Sequence, residues 1–411
     1  MPPARLPPSI GGVRARPRTR QPYPASAEVR VLAIGALYRG LALSVGKTFR
    51  RRIELDDLAN ARILILKPCC LGDVVFATPF LRELRRQLPK AHLTFGVSTH
   101  ARPAILGSPH LNALLDTGAV GAGRYRLREY LRLIQQVRAG HFTACFVLER
   151  SALLASLPGL AGIPIRVGID SGGRGFSLSV GIPAKPSRPE SELYLDLLRA
   201  VGGEPRSGEL EYFPSPAAVE QIDRLVGERL RGERFVVLHA AGGVNPGMAL
   251  LRKRWPIESF AALAGRLQES GVVPVMVGAP EDHRAVNAII HALGARRANS
   301  ELLDLTGELT LDALAELARR ALAYVGNDSG PTHLAEAAGA QVIALFGPSD
   351  PVVYGPRSRH AIAVTAGLWC SPCFESGRVA PCVDPVCMPA ISVETVWRQL
   401  APWLVEREQS E

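Results

Sequence analysis

The sequence predicts an α/β protein with two Rossmann-like domains, each built on a parallel sheet and facing the other across a cleft. Three observations support this fold class. Short, continuous apolar runs such as RILILK at residues 62–67 are typical of buried parallel strands. Amphipathic helical stretches separate these runs. The alternation occurs twice along the chain, on either side of a Pro-Ser-Pro at residues 214–216.

Each half has its own predicted order of elements. In the first half, the predicted strands are 62–67, 92–97 and 142–148, and the predicted helices are 73–88, 124–139 and 194–202. In the second half, the predicted strands are 235–239, 272–277, 321–325 and 342–346, and the predicted helices are 217–231, 256–270, 311–320 and 332–338. Ligands of such sheets bind beyond the carboxyl ends of the strands, so functional residues are expected in the loops that follow strands.

The composition is that of an ordinary globular protein. The chain has 411 residues, of which 47% are hydrophobic and 21% are charged, which excludes general disorder and fibrous repeats. At about 100–200 residues per domain, the length fits two domains with additional segments. Aromatic residues make up only 6%, and no basic stripe is interleaved with them. Nucleic acid is therefore not expected as a partner.

The net charge of +10 is concentrated at the N terminus. Residues 1–57 contain ten Arg and one Lys against four acidic residues, which accounts for +7 of the total. Residues 1–25 are rich in Pro and Arg and are expected to be disordered. Residues 27–53 can form an amphipathic helix that either packs on the body or meets anionic lipid. The cluster Arg50–Arg52, with Arg39 and Lys47, favours the lipid.

The sequence gives no sign of a membrane-spanning helix. Such a helix needs about 20 apolar residues, and the nearest run, residues 29–46, contains Arg30 and Arg39. The odd number of cysteines, seven, and the lack of an export signal favour a reducing, cytoplasmic compartment.

Four of the cysteines lie close together near the C terminus. They are Cys370, Cys373, Cys382 and Cys387. Four thiols within eighteen residues can form an all-cysteine structural zinc site. Only one pair has the CxxC spacing, so four reduced structural thiols remain the alternative.

The loop after the first predicted strand, Lys67-Pro-Cys-Cys-Leu-Gly-Asp73, contains a candidate functional carboxylate. Gly72 permits a tight turn and a close approach of the backbone. Asp73 is expected at a helix start facing the cleft. Asp is also a favoured helix N-cap, and that structural role alone would explain it. The loop does not have the glycine spacing of a Walker A loop.

The loop at residues 325–333, VGNDSGPTH, is the strongest candidate for a binding site. A helix N terminus with free N–H groups and neighbouring hydroxyls binds anions and is well shaped for a diphosphate. Capping by the Asp or the Ser is the alternative. Capping accounts for one residue but not for the whole set, which is Asp328, Ser329, Gly330, Thr332 and His333.

Two further loops of the second half carry weaker signals. The loop 240–247, AAGGVNPG, can bring the backbone amides of Gly242 and Gly243 near a phosphate, with Lys253 supplying a positive charge. Gly-rich turns and surface lysines are common, so this loop alone decides nothing. Glu281, after the predicted strand 272–277, can accept hydrogen bonds from ribose or sugar hydroxyls, or simply cap the next helix.

Taken together, these segments resemble glycosyltransferase family 9, the ADP-heptose:lipopolysaccharide heptosyltransferases. The resemblance rests on the pairing of LGDVV and the following TP with NDSGPTHLA, and on the segments HFTACFVLERSALLASLPGLAG, KRWPIESFAALA and WCSPC. The matching segments cover about residues 60–400 in the family's order. The adjacent Cys69 and Cys70 depart from the small polar residues that are usual there.

The resemblance implies a GT-B fold, inversion at the anomeric carbon and no catalytic metal. It implies that Asp73 is the general base and that Lys253 lies near the donor diphosphate. It also implies that Asp328 contacts the donor sugar, while Ser329, Gly330, Thr332 and His333 hold the diphosphate. Glu281 matches a contact on the ribose or adenine side.

The expected function is transfer of a heptose or similar sugar from an ADP-activated donor to a lipopolysaccharide-core-type, lipid-linked saccharide. The expected place is the cytoplasmic face of the inner membrane. The alternatives are another donor sugar or surface-glycan acceptor, a nucleotide-sugar epimerase or hydrolase, and an inactive binding protein. The expected organisation is a basic extension at 1–57, an acceptor-binding domain at 58–215, a nucleotide-sugar-binding domain at 216–390 and a C-terminal helix at 391–411.

Overall fold

The computed structural model describes residues 53–122, 125–185, 187–245, 248–294, 302–375, 378–379, 382 and 384–406. The predicted helix at 27–53 and most of the basic extension lie outside these residues. In the described part of the chain, no helix is both long enough and apolar enough to cross a bilayer.

The first half of the chain forms a six-stranded parallel sheet with helices between the strands. The strands are β1 (Arg62–Leu66), β2 (His92–Val97), β3 (Ala113–Asp116), β4 (Ala144–Val147), β5 (Ile165–Asp170) and β6 (Val180–Pro183). The helices are α1 (Leu71–Val75), α2 (Thr78–Gln87), α3 (Leu127–Ala139), α4 (Ala152–Leu160) and α5 (Glu190–Arg199).

The second half forms another six-stranded parallel sheet. Its strands are β7 (Phe235–His239), β10 (Val273–Met276), β11 (Leu303–Asp304), β12 (Ala323–Asn327), β13 (Val342–Phe346) and β14 (Ala361–Thr365). Two small hairpins pair β8 (Val244–Asn245) with β9 (Met248–Ala249), and β15 (Phe374–Glu375) with β16 (Arg378–Val379). The helices are α6 (Pro216–Leu225), α7 (Ile257–Glu269), α8 (His283–Leu293), α9 (Leu311–Arg320), α10 (Gly330–Ala337), α11 (Pro351–Tyr354) and α12 (Val393–Glu406).

The two sheets share one strand order. The first runs β3-β2-β1-β4-β5-β6 and the second runs β11-β10-β7-β12-β13-β14. Both are the Rossmann order 3-2-1-4-5-6. The second and third strands are added on one side of the first strand, and the fourth to sixth strands are added on its other side. This confirms the predicted fold class of two parallel-sheet domains. The strand order also places a crevice beyond the ends of β1 and β4, and another beyond the ends of β7 and β12.

The predicted helix 73–88 is wrong in one respect, because the structure contains two helices there, α1 and α2. Pro79 lies in the first turn of α2 and has no N–H, so it cannot continue the hydrogen-bond pattern of α1. The Thr78 hydroxyl donates instead to the Val75 carbonyl. The helix predicted at 217–231 is shorter in the structure, where α6 ends at Leu225 and a π-helical turn, Val226–Leu230, follows it.

The two halves pack against each other through α1 and α10. A side chain at Gly72 in α1 would place its Cβ 3.0 Å from the His333 ring, and one at Gly330 would place it 2.8 Å from Leu71. The largest hydrophobic cluster of the first half extends into α9 and α10 through Ala315 and Leu334. Glycine at both helix starts therefore permits the close approach of the two halves.

The buried side chain of Asn327, at the end of β12, joins three segments of the second half. Its Oδ1 accepts from the Trp255 backbone N–H, and its Nδ2 donates to the carbonyls of Ala240 and Ala241. It thus attaches the loop after β7 to the loop after β12.

We expect Asn327→Ala to lower the free energy of unfolding by about 3 kcal/mol, because it leaves a buried N–H and two buried carbonyls unpaired. The measurement is the urea unfolding midpoint. Gln135→Ala, on the exposed face of α3, is the control and should stay within about 0.5 kcal/mol of the parent. Equal effects of the two substitutions would contradict this role for Asn327.

Candidate functional site

Asp73 lies in the first turn of α1, beyond the end of β1. The residue that precedes the helix as N-cap is Cys70, whose side chain makes no capping hydrogen bond. The structural alternative of Asp73 as an N-cap is therefore wrong. The Asp73 side chain is about one-third exposed, and its Oδ2 lies 3.0 Å from the ammonium of Lys67.

Lys67 joins Asp73 to a second carboxylate, that of Glu149. Its Nζ lies 2.7 Å from Glu149 Oε1, and the Lys67 side chain is almost fully buried. Burial alone would lower the pKa of Lys67, but the carboxylates of Asp73, Glu149 and Glu190 outweigh it and raise that pKa well above its usual value. Burial raises the pKa of Glu149, with Lys67 acting in the opposite direction. The ammonium is thus held as a permanent cation between two carboxylates.

The sequence reasoning missed Lys67 and Glu149 as site residues. Lys67 directly follows β1 and Glu149 follows β4, so their ion pair spans the point at which the strand order reverses. The sequence does show a charged residue after each of these two apolar strands. Their opposite charges indicate a site only when β1 and β4 are known to be neighbours.

Next to Glu149, Arg150 makes a two-pronged ion pair with Glu190, at 2.7 and 2.6 Å. Glu190 is buried at the start of α5 and also accepts from the Tyr194 hydroxyl at 2.8 Å. Burial alone would lower the pKa of Arg150, but the Glu190 contacts outweigh it and raise that pKa above its usual value. This second ion pair fixes the loop after β4.

Asp328 is the centre of a buried cluster beyond β12. Its Oδ2 lies 2.5 Å from Lys253 Nζ and also accepts from the Ser349 hydroxyl. Its Oδ1 lies 3.1 Å from His333 Nε2. Burial alone would raise the pKa of Asp328, but Lys253 and His333 outweigh it and hold that pKa far below its usual value. Asp328 is therefore a carboxylate at every physiological pH.

Helix capping does not explain the loop before α10. Ser329 is the N-cap residue, but its hydroxyl makes no capping bond and lies 3.1 Å from the Thr332 hydroxyl. The Thr332 hydroxyl donates to the Asn327 carbonyl at 2.6 Å. Pro331 has no N–H, and the N–H groups of Thr332 and His333 donate to the Ser329 carbonyl. The N–H of Gly330 is thus left for an anion at this helix start, beside the ammonium of Lys253.

The Gly-rich loop after β7 lies against the same helix start. Gly242 and Gly243 have φ values of 104° and 76°, in the region that favours glycine. A Cβ on Gly242 would lie 2.8 Å from the Ser329 side chain. Arg254 Nε donates to the Gly242 carbonyl at 3.0 Å and fixes the loop from the other side. The structure therefore brings this loop and the 328–333 loop together.

Not every predicted residue joins this cluster. Glu281 lies exposed in a short 3-10 turn, Pro280–Asp282, and shares no hydrogen bond or ion pair with Lys253 or Asp328. Its role stays a prediction. Ser349 belongs to the cluster but was missed, because a single serine after β13 gives no signal in the sequence.

The expected reducing compartment predicts free thiols, but two of the cysteines are joined to each other. Cys69 and Cys70 form a disulfide between adjacent residues, directly before α1. Cys370, Cys373, Cys382 and Cys387 are free thiols. Burial first, and then the neighbouring thiols, raise the pKa of Cys373. Among the residues that the structure describes, no group of three or more metal-binding side chains could hold an ion, so the zinc site stays a prediction.

Comparison with known proteins agrees with this geometry. The profile of glycosyltransferase family 9 (heptosyltransferase) matches residues 130–383. Lipopolysaccharide heptosyltransferase 2 of Escherichia coli (strain K12) is 30% identical over 311 residues, which cover 73% of this chain and 86% of that protein.

Solved structures show the same fold. The E. coli ADP-heptose lps heptosyltransferase II superposes with a TM-score of 0.66 at 23% identity, over 84% of this chain and 99% of that one. The E. coli heptosyltransferase WaaC, solved with ADP-2-deoxy-2-fluoro heptose, gives a TM-score of 0.61 at 15% identity, over 83% and 99%. The two facing parallel-sheet domains are thus the GT-B fold. The chain belongs to glycosyltransferase family 9, the heptosyltransferases, and is a glycosyltransferase.

Proposed function

We propose that this enzyme transfers a heptose from an ADP-activated donor to a lipid-linked saccharide of the lipopolysaccharide-core type, with inversion at the anomeric carbon. The observation that supports the proposal is the contact between α1 and α10, which brings the turn that holds Asp73 next to His333, the partner of Asp328. The family, and the ADP-heptose analogue bound to the WaaC structure, support the choice of donor. The proposed location is the cytoplasmic face of the inner membrane.

The start of α10 is the proposed diphosphate site. The N–H of Gly330 and the positive end of the helix dipole favour an anion. The Thr332 hydroxyl donates to the Asn327 carbonyl and therefore holds the loop in place. Lys253, the Ser329 hydroxyl and Gly242 lie beside this helix start. Fixed donors of this kind stabilise the charge that develops on a leaving diphosphate. Each oxygen of Asp328 has two lone pairs, so Oδ1, with His333 as its partner, can accept from a sugar hydroxyl as well.

Asp73 is the proposed general base. In the displacement, an acceptor hydroxyl oxygen bonds to the anomeric carbon while the bond from that carbon to the diphosphate oxygen breaks. The electron pair of that bond leaves with the diphosphate, and the hydroxyl proton moves to Asp73. The partial exposure of its side chain makes the carboxylate accessible from the cleft.

Lys67 is the proposed positioning residue for this base. Its ammonium holds the Asp73 carboxylate in one orientation, while Glu149 holds the ammonium from its other side. Lys67 itself stays protonated because its pKa is raised.

A donor screen with the purified protein tests the proposed reaction. ADP-heptose should release its nucleotide at the highest rate among ADP-, UDP- and GDP-activated sugars, and only when a lipopolysaccharide-core acceptor is added. Release at the same rate without an acceptor would instead indicate a hydrolase. Binding of the donor without any release would indicate an inactive binding protein.

The substitution Asp73→Asn tests the base. We expect kcat to fall by about 10²–10⁴-fold, because the amide cannot accept the proton. The donor Kd should stay within about twofold, since Asp73 belongs to the other domain from the Asp328 cluster. Asp116→Asn, at the end of β3 on the same sheet, is the matched control and should keep the parent kcat. A large loss of donor affinity with normal turnover would contradict the assignment.

Two substitutions of Lys67 test its positioning role. We expect Lys67→Met to lower kcat by about 10²-fold, because the Asp73 carboxylate loses the ammonium that holds it. The donor Kd should stay within about twofold, since the Asp328 cluster belongs to the other domain. Lys67→Arg keeps the charge and should recover most of the lost kcat. Equal losses of kcat in the two variants would mean that Lys67 is only structural.

A further inference from the structure

The helices α3 and α4 form one continuous surface beside the acceptor side of the cleft. The Tyr130 hydroxyl, near the start of α3, donates to the Leu153 carbonyl, near the start of α4, at 2.7 Å. Arg138, near the end of α3, donates to the Leu160 carbonyl, at the end of α4, at 2.8 Å. The two helices therefore run side by side in the same direction, and their exposed faces adjoin.

This α3–α4 face exposes four leucines. They are Leu127, Leu131, Leu153 and Leu160, with 72%, 50%, 53% and 48% of their surface exposed. The sequence of α4, ALLASLPGL, contains no charged residue. Surface helices usually present polar residues to water, so an exposed apolar face of this kind indicates an interaction surface.

Basic residues surround these leucines. The segment 126–139 has exposed arginines at Arg126, Arg128, Arg132 and Arg138. Its one acidic residue, Glu129, accepts from the Arg126 backbone N–H at 2.5 Å. Apolar side chains among cations match the surface of an anionic bilayer, in which leucines enter the acyl region and arginines contact headgroups.

The position of the face fits the same partner. Ser151, the N-cap of α4, directly follows Glu149 and Arg150, so the start of the face adjoins the loop that holds Lys67. We infer that the α3–α4 face docks on an anionic phospholipid bilayer and thereby presents the cleft to an acceptor embedded in that bilayer. The inference rests on the proposed lipid-linked acceptor, but vesicle binding is measured without any sugar transfer.

Cosedimentation of the full chain with vesicles of phosphatidylglycerol and phosphatidylethanolamine tests the inference. Leu131→Gln with Leu153→Gln should lower the vesicle partition coefficient by about tenfold, because two half-exposed leucines lose their burial in lipid. Ile290→Gln with Val352→Gln, which changes two exposed apolar residues of the other domain, is the matched control and should bind as the parent does.

The lipid contacts of the arginines are tested by the same assay. Arg128→Gln with Arg132→Gln should weaken binding to anionic vesicles severalfold and leave binding to phosphatidylcholine vesicles unchanged. Unchanged binding of the leucine double variant to anionic vesicles would overturn the inference. So would a parent chain that is dimeric by light scattering and becomes monomeric only in that variant, because the face would then bind a second copy. Neither result bears on donor turnover, which tests the proposed function separately.

Discussion

The rest of the active-site arrangement depends on one contact, the close approach of two helix starts across the domain boundary. Gly72 in α1 and Gly330 in α10 have no side chains, and each lies against a residue of the opposite helix. A larger residue at either position would push the helices apart. The contact brings the first turn that holds Asp73 against the start of α10, the proposed site of the diphosphate. It also buries Phe76 beside His333, with ring centroids 4.6 Å apart.

The two domains have the same strand order but ionic clusters of opposite charge at their centres. Each has the strand order 3-2-1-4-5-6, and each places its ionic cluster beyond the first and fourth strands. In the first domain a buried lysine lies between two carboxylates. In the second domain a buried carboxylate accepts from a lysine, a serine and a histidine. The proposed roles differ accordingly, with proton acceptance assigned to the first arrangement and stabilisation of the leaving group to the second.

Local sequence patterns predicted much of the fold and part of the site. The apolar runs predicted β2, β7 and β13 with the bounds that the structure has, and the periodicity predicted α9. The helix α4 was not predicted, because its sequence has no polar face and contains Pro158. The loop 328–333 was found because its residue types are unusual together within six positions. Glu149 and Ser349 were not found, because their roles depend on which strands are neighbours, and that is a property of the tertiary fold.

The distribution of ion pairs has a consequence for domain motion. Lys67, Asp73 and Glu149 all belong to the first domain, and Lys253, Asp328, His333 and Ser349 all belong to the second. The contact between α1 and α10, by contrast, is made by glycine, apolar and ring atoms. A hinge rotation that opens the cleft therefore separates no ion pair of either cluster. Each cluster would keep its internal ion pairs during such a rotation, while the α1–α10 contact that opposes it is apolar.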